Sequence, residues 1–327
     1  MRQLNIILIF FISITFTFSN EVIELTMGHY ANETHAGNLA SRMFANNVNN
    51  RTKGRINVKI FPNNQLGSPV DLLKMNISGS IDMSLPTQGQ LSDYSSKFRC
   101  IMIPFLFENY NEVHKFLDGP FMDWVGSEIE DQGLVFLSNW EWGFRNITNN
   151  IKPIYAPYNV NNLSIRTPPE LPNQLLIDGL GATVKTIAWT ELPMALKQRV
   201  VDGQENPISI IYNYRIYETQ KYLTMTKHTY NSMVHVISKK TWDKLTPIDR
   251  TIIKEESLKA GNFMRTKIED EEKTQIEELE KLGMNIIWPA RDQFKKAIPH
   301  VYEELKESIG TETYQTFMNM VTDFKGN

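Results

Sequence analysis

The chain has 327 residues, of which 41% are hydrophobic and 22% charged, and its formal net charge is −3. That balance excludes a disordered chain, and the length supports two lobes of ordinary size. A mildly acidic chain argues against a nucleic-acid binder, while a local basic pocket for a small anion stays compatible with it.

Residues 1–19 read as an export signal. Arg2 supplies positive charge, Ile6 to Ile14 forms an apolar run broken only by Ser13, and Thr17 and Ser19 are small residues before a cut after Ser19. An N-terminal membrane anchor is the alternative, but the run is short for a span. No cysteine near the cut could carry a lipid, and no later segment is apolar enough to cross a bilayer. The expected location is a bacterial periplasm. Cys100 is the single cysteine, so no intramolecular disulfide can form, and its apolar neighbours predict a buried small residue.

Residues 24–28 and 56–61 are predicted strands, separated by a helix over 34–49 with Leu39, Ala40, Met43, Phe44 and Val48 at helical spacing. A helix over 70–77 and a strand over 81–85 follow. This β-α-β-α-β opening favours a parallel sheet with right-handed crossovers. Further strands are predicted over 134–137, 163–166, 183–186 and 233–238, with helices over 170–179 and 191–198. Thr246-Pro247-Ile248-Asp249 is a strong helix start, with a capping Thr, a Pro at the first position and an acid in the first turn. The next stop signal is Gly283, so an unbroken helix would run roughly 36 residues, or about 54 Å. That exceeds one small lobe, so the helix must bridge two lobes or project outward; a kink near Gly261 is the alternative. The acidic run Glu269-Asp270-Glu271-Glu272 reads as its solvated face. The fold expected is α/β, a two-lobed clamshell that closes on a ligand.

Several residues carry candidate chemistry. Arg166 ends an apolar strand-like run, and a planar guanidinium offers a carboxylate two parallel donors; the same local sequence suits a structural salt bridge. Arg145 lies in Trp140-Glu141-Trp142-Gly143-Phe144-Arg145, where aromatics interleave with charge as they would around a sugar or cyclic acid, or where a strand crosses a core. Asn206 lies in Gly203-Gln204-Glu205-Asn206-Pro207, read as a turn. Trp189 could cover a ligand face or pack in the core. His29, Tyr30 and His35 follow the first strand, where ligand loops of α/β folds lie. A metal would need a third ligand at suitable spacing, which is not found, so no metal or cofactor is expected. Short enzyme motifs are absent, and Glu205 or Glu141 would be the candidate base in a secreted enzyme acting on a small acid.

The mature chain resembles the DctP-type substrate-binding proteins of TRAP transporters. The resemblance rests on Gly28-His29, Phe61-Pro62-Asn63-Asn64-Gln65-Leu66-Gly67, Gly79-Ser80-Ile81-Asp82-Met83, Ile103-Pro104-Phe105-Leu106-Phe107 and Gly143-Phe144-Arg145-Asn146-Ile147-Thr148-Asn149. It continues through Ile165-Arg166-Thr167, Val201-Asp202-Gly203-Gln204-Glu205-Asn206-Pro207 and Tyr217-Glu218-Thr219-Gln220-Lys221-Tyr222-Leu223. The order and spacing of these short segments carry the specificity.

The resemblance implies two α/β lobes bridged by a long helix, with Arg166 gripping a ligand carboxylate. Arg145 would be a second basic contact, Asn206 an amide on the carboxylate and Trp189 a pocket aromatic. The implied partner is a membrane permease pair driven by an ion gradient. Tyr30, Pro69 and Thr87 stand where sialic-acid members have polar or acidic residues, which argues against sialic acid. The segment around Arg145 is similar to that of hexuronate-binding members, although Trp142 stands where those tend to have Asn. Trp189 resembles the ectoine-binding members, which lack the equivalent of Arg145. Pro193 stands where the family usually has Tyr.

The expected organisation is a signal over 1–19, lobe I over 20–142 plus about 232–268, and lobe II over 143–231 plus about 269–327. The expected function is capture of an organic acid, with a sugar acid such as a hexuronate favoured, by a monomer that is not an enzyme. Tyr30, His29, His35, Thr87 and Glu141 join the two arginines, Asn206 and Trp189 as ligand-binding candidates. A C4-dicarboxylate, hydroxy acid, ectoine or sulfonate are the alternative ligands, and a sensor component is the alternative role.

Overall fold

The computed structural model describes residues 22–326; the signal-segment reading lies outside them. One nine-stranded sheet organises the chain in the order β2-β1-β3-β8-β4-β7-β5-β6, with β9 paired to β8. The strands are β1 (Ile23–Gly28), β2 (Ile56–Phe61), β3 (Met83–Ser84), β4 (Leu134–Asn149), β5 (Ser164–Thr167), β6 (Thr183–Thr186), β7 (Gly203–Pro207), β8 (Tyr222–Ser238) and β9 (Asn285–Ile287).

At one end β1 is parallel to β2 and β3, as the β-α-β-α-β opening predicts. At the other, β5 is parallel to β6 and β7. The long antiparallel pair β4 and β8 joins the ends, with β3 on the last residues of β8 and β7 on the last residues of β4. The result is a two-lobed α/β clamshell. Hydrophobic cores lie on either side of the sheet, one around Met27, Phe44, Trp140 and Met264, the other around Phe98, Phe116, Phe144 and Phe317. Cys100 is fully buried.

Local sequence sets the element ends. Helix α1 (Ala36–Arg51) is capped by His35, whose Nδ1 accepts from the Gly37 N–H at 3.0 Å. Helix α2 (Pro69–Ser78) begins with a Ser68/Asp71 capping box and stops at Gly79, which takes the left-handed conformation at φ 77°. The helix predicted from Thr246 runs unbroken over Pro247–Lys281, 35 residues, and bridges both lobes. Thr246 caps it, and Asp249 in its first turn pairs with Arg55 at 2.6 Å.

Five predicted elements change. The Gly-Gln-Glu-Asn-Pro turn is strand β7, because its backbone pairs with both β4 and β5. The strands predicted over 134–137 and 233–238 are the ends of much longer strands. Every residue of β4 is buried, so no polar alternation marks its extent. The strand predicted over 81–85 shortens to two residues. The helix predicted over 191–198 is a 3-10 turn at Trp189–Glu191 leading into an α-helix at Leu192–Lys197.

Candidate functional site

A small cleft lies where the two halves of the sheet meet, at the carboxyl ends of β1, β5 and β6, the usual ligand position in open α/β sheets. Tyr30 follows β1, Pro69 opens α2, and Thr87 and Gln90 cap a short helix after β3. Trp142 and Arg145 come from the middle of β4. Arg166 comes from β5, Pro168 and Glu170 from the loop behind it, Trp189 from the end of β6, and Asn206 from β7. Their shared space is about 40 Å³, room for a few water molecules. Larger surface clefts exist, one of about 640 Å³ beside Lys227, Glu272 and Trp288. The small cleft concentrates buried charge in Arg145, Arg166 and Glu170, and we place the site there on that ground.

Arg145 faces Glu205 across β4 and β7. Its Nε and Nη2 both donate to the Glu205 carboxylate, and Nη2 also reaches the Glu205 carbonyl at 2.8 Å. Burial pushes the Glu205 carboxyl up, but Arg145 and a hydrogen bond from His228 outweigh it and hold the group below the ordinary carboxylate range. His228 Nε2 lies 3.3 Å from Glu205, and its Nδ1 lies 2.7 Å from the Thr226 hydroxyl. A carboxylate acceptor puts the proton on Nε2, so Nδ1 accepts from Thr226.

Arg166 is different. Its Nε donates to the Ile187 carbonyl at 2.9 Å, while Nη2 is buried with no partner among the described residues. Burial lowers its pKa to about 10, with neighbouring Arg145 adding to the fall and Glu205 and Glu170 opposing it. A buried guanidinium with an unpaired donor at a cleft has the chemistry to receive an anion, since an unsatisfied buried donor is costly to keep.

Asn206 is oriented by a relay. Its Nδ2 donates to Gln204, whose Nε2 donates to Thr148 at 2.9 Å, whose hydroxyl donates to Gln220 at 2.8 Å. Aromatics line the walls. Tyr30 meets Trp142 edge-on at 5.2 Å, and Trp189 meets Tyr214 edge-on at 4.8 Å. The Tyr30 hydroxyl is buried and unpartnered.

The cleft thus gathers Arg166, Arg145, Asn206, Trp189, Tyr30 and Thr87. Three other candidates lie elsewhere. Glu141 turns away to His114 and Tyr230, the latter at 3.0 Å. The ladder slips at Glu141/Gly143, and Gly143 takes φ +116°, so this bulge puts Trp142 and Arg145 on one face and Glu141 off it. His35 is the α1 cap, with its Nε2 3.3 Å from Ser209. His29 is buried and does not line the cleft. Burial holds His29 and His35 at about 3, so both are neutral. Glu170 and Gln90 line the cleft but were missed in the sequence. Glu170 follows Pro168-Pro169 in what reads as a helix N-terminus, which gives no hint that its side chain turns inward.

A family model described as bacterial extracellular solute-binding protein, family 7 (DctP) matches residues 27–308. The 2,3-diketo-L-gulonate-binding periplasmic protein YiaO of Escherichia coli is 28% identical over 296 residues, covering 86% of this chain and 90% of that protein. The sugar acid binding protein DctPAm of Advenella mimigardefordensis, solved with galactonate, superposes with a TM-score of 0.89 at 28% identity, covering 93% of this chain and 99% of that one. A TRAP periplasmic solute-binding protein from Ochrobactrum anthropi, solved with its C-terminus in the ligand pocket, superposes at 0.84 with 32% identity, covering 94% and 97%.

Proposed function

We propose a ligand and a mode of capture for this chain, which belongs to bacterial extracellular solute-binding protein family 7, the DctP family. The ligand is an organic acid whose carboxylate docks on Arg166. The observation that carries this is the buried, unpartnered Nη2 of Arg166 facing the cleft. Asn206 supplies an amide, Arg145 a guanidinium edge already ion-paired to Glu205, and Tyr30, Trp142 and Trp189 flat walls. A sugar acid is favoured, because one relative above is named for binding 2,3-diketo-L-gulonate and another, named a sugar acid binding protein, was solved with galactonate.

The cleft as it stands holds only a few waters, so the ligand enters when the lobes part and is sealed when they close. The lobes divide as 20–142 plus about 232–268 and 143–231 plus about 269–327, and the bulges of β4 lie at the crossing. The protein works as an exported monomer in the periplasm and hands its ligand to a membrane permease, without turning it over.

A thermal-shift screen of residues 20–327 against sugar acids, dicarboxylates, hydroxy acids, sulfonates and ectoine tests this. A ligand that binds only the folded state stabilises it by about 2.7 kcal/mol at 100-fold excess over Kd. A shift with one acid class that is lost in Arg166→Ala supports the reading. If no acid shifts the protein even after refolding from denaturant, which strips a retained ligand, the reading fails.

A further inference from the structure

Glu170 stands beside the arginines in the cleft and is 3% exposed. Its Oε1 accepts from the Thr87 hydroxyl at 2.6 Å and its Oε2 from Asn173 Nδ2 at 3.2 Å. Both oxygens act as acceptors, as a carboxylate's do. The charged or titratable groups that face it are Arg145, Arg166, Glu205 and Tyr30. Gly89 leaves it room: a Cβ there would fall 2.3 Å from the Glu170 carboxyl carbon, so a larger residue would push the side chain aside.

The charge arrangement is lopsided. Arg145 is already neutralised by Glu205, which leaves Arg166 as the unpaired cation and Glu170 as a carboxyl without a salt bridge among the described residues, its pKa raised by burial against the pull of Arg145. One ligand carboxylate is therefore served by Arg166. A second would meet a neutralised guanidinium and a buried like charge, which is strongly unfavourable in a site shut off from water. A hydroxyl there instead finds carboxylate lone pairs to donate to, and a site built around such an acceptor penalises ligands that cannot donate.

We propose that Glu170 is the specificity-determining residue of the cleft, accepting a ligand hydroxyl and excluding a second carboxylate. The class selected is a hydroxylated monocarboxylate. This rests on the reading of Arg166 as the carboxylate anchor.

Calorimetric titration with three matched six-carbon acids tests it: galactonate, galactarate, which adds a second carboxylate, and hexanoate, which lacks the hydroxyls. Wild type is expected to bind galactonate at least about 100-fold more tightly than either of the others. The isosteric Glu170→Gln should narrow the galactonate-to-galactarate ratio by about 10-fold or more, chiefly by improving galactarate, whereas Glu170→Asp, which keeps the charge, should not. Wild type binding galactarate or hexanoate as tightly as galactonate would overturn the assignment without needing a variant, as would an unchanged ratio in Glu170→Gln. In both cases the anchor reading survives if Arg166→Ala still abolishes binding. Binding that persists in Arg166→Ala, or no acid bound by wild type, sinks the anchor and this proposal with it.

Discussion

Arg145 and Glu205 close on each other across the β4–β7 ladder, with Nε and Nη2 of one side chain on the carboxylate of the other. Both are almost wholly buried. Removing one partner of such a pair leaves an uncompensated charge in the interior, whereas removing both does not. Arg145→Gln or Glu205→Gln alone should cost about 3–5 kcal/mol. The double variant should cost far less than their sum. Urea unfolding of the four proteins closes the cycle, and additive losses would mean the two groups are not coupled.

For Arg166 the expectation is the reverse, with a large effect on ligand and a small one on the empty protein. Arg166→Met removes an unpartnered buried donor but also the hydrogen bond to the Ile187 carbonyl, and these offset. Unliganded stability should stay within about 1 kcal/mol of wild type. Affinity for the bound acid should fall by about 2–5 kcal/mol, or roughly 30-fold to several thousandfold. Calorimetry beside thermal melts of the ligand-free protein separates the two.

Gly261 sits mid-helix, where Ala would ordinarily be worth about 1 kcal/mol in favour of the helix. Here a Cβ would come 2.6 Å from the Asn139 carbonyl and 2.9 Å from Trp140. The backbone of the bridging helix lies directly on β4, so Gly261→Ala should destabilise by about 1–3 kcal/mol. A rise in Tm would show that the helix can lift off the strand at little cost.

Stability should fall in acid well before the carboxylates titrate. Burial holds His29, His35 and His235 at about 3, against 6.5 in the unfolded chain. Their contribution is complete above pH 6.5 and is lost as pH falls from there toward 3, because the unfolded chain takes up protons that the folded one refuses. Once all three titrate, the slope from these groups is about 4 kcal/mol per pH unit. Neither ring nitrogen of His29 has a partner, so His29→Leu deletes one proton-binding group without deleting a hydrogen bond. It should reduce proton uptake on unfolding between pH 6.5 and 4 by about one. An unchanged uptake would mean that His29 already titrates in the fold.

The bridging helix was legible from Thr246-Pro247 and Gly283 because helix ends are written in local capping chemistry. The parallel opening was legible from alternating strand and helix periods. Arg166 stood out as a charge closing an apolar strand. What the sequence hid was facing. In β4 every side chain is buried, so Glu141 and Arg145 look equivalent until a bulge at Gly143 sends one into the cleft and the other behind it. The pairing of Arg145 with Glu205 was hidden for a related reason, since both segments read well alone and only the β4–β7 register brings them together. Glu170 follows two prolines, and its inward turn depends on space left by Gly89, some eighty residues earlier.

The bridging helix is a rod about 52 Å long at 1.5 Å per residue, and it lies against parts of the molecule that must turn relative to each other for a ligand to enter. A rod cannot stay seated on two bodies that rotate. Its grip is uneven: from Asp249 to Ile268 ten of its residues are buried, but beyond that only Gln275 and Leu279 are. The first two-thirds is therefore seated on α1 and β4, while the last turns near β9 are the part along which a moving lobe could slide. A swing of about 10° pivoting at Ile268 would carry the free end, about 20 Å away, through about 3.5 Å of arc. The acidic residues 269–272 begin the lightly held stretch, so opening and closing present a different charged outline at this corner of the molecule.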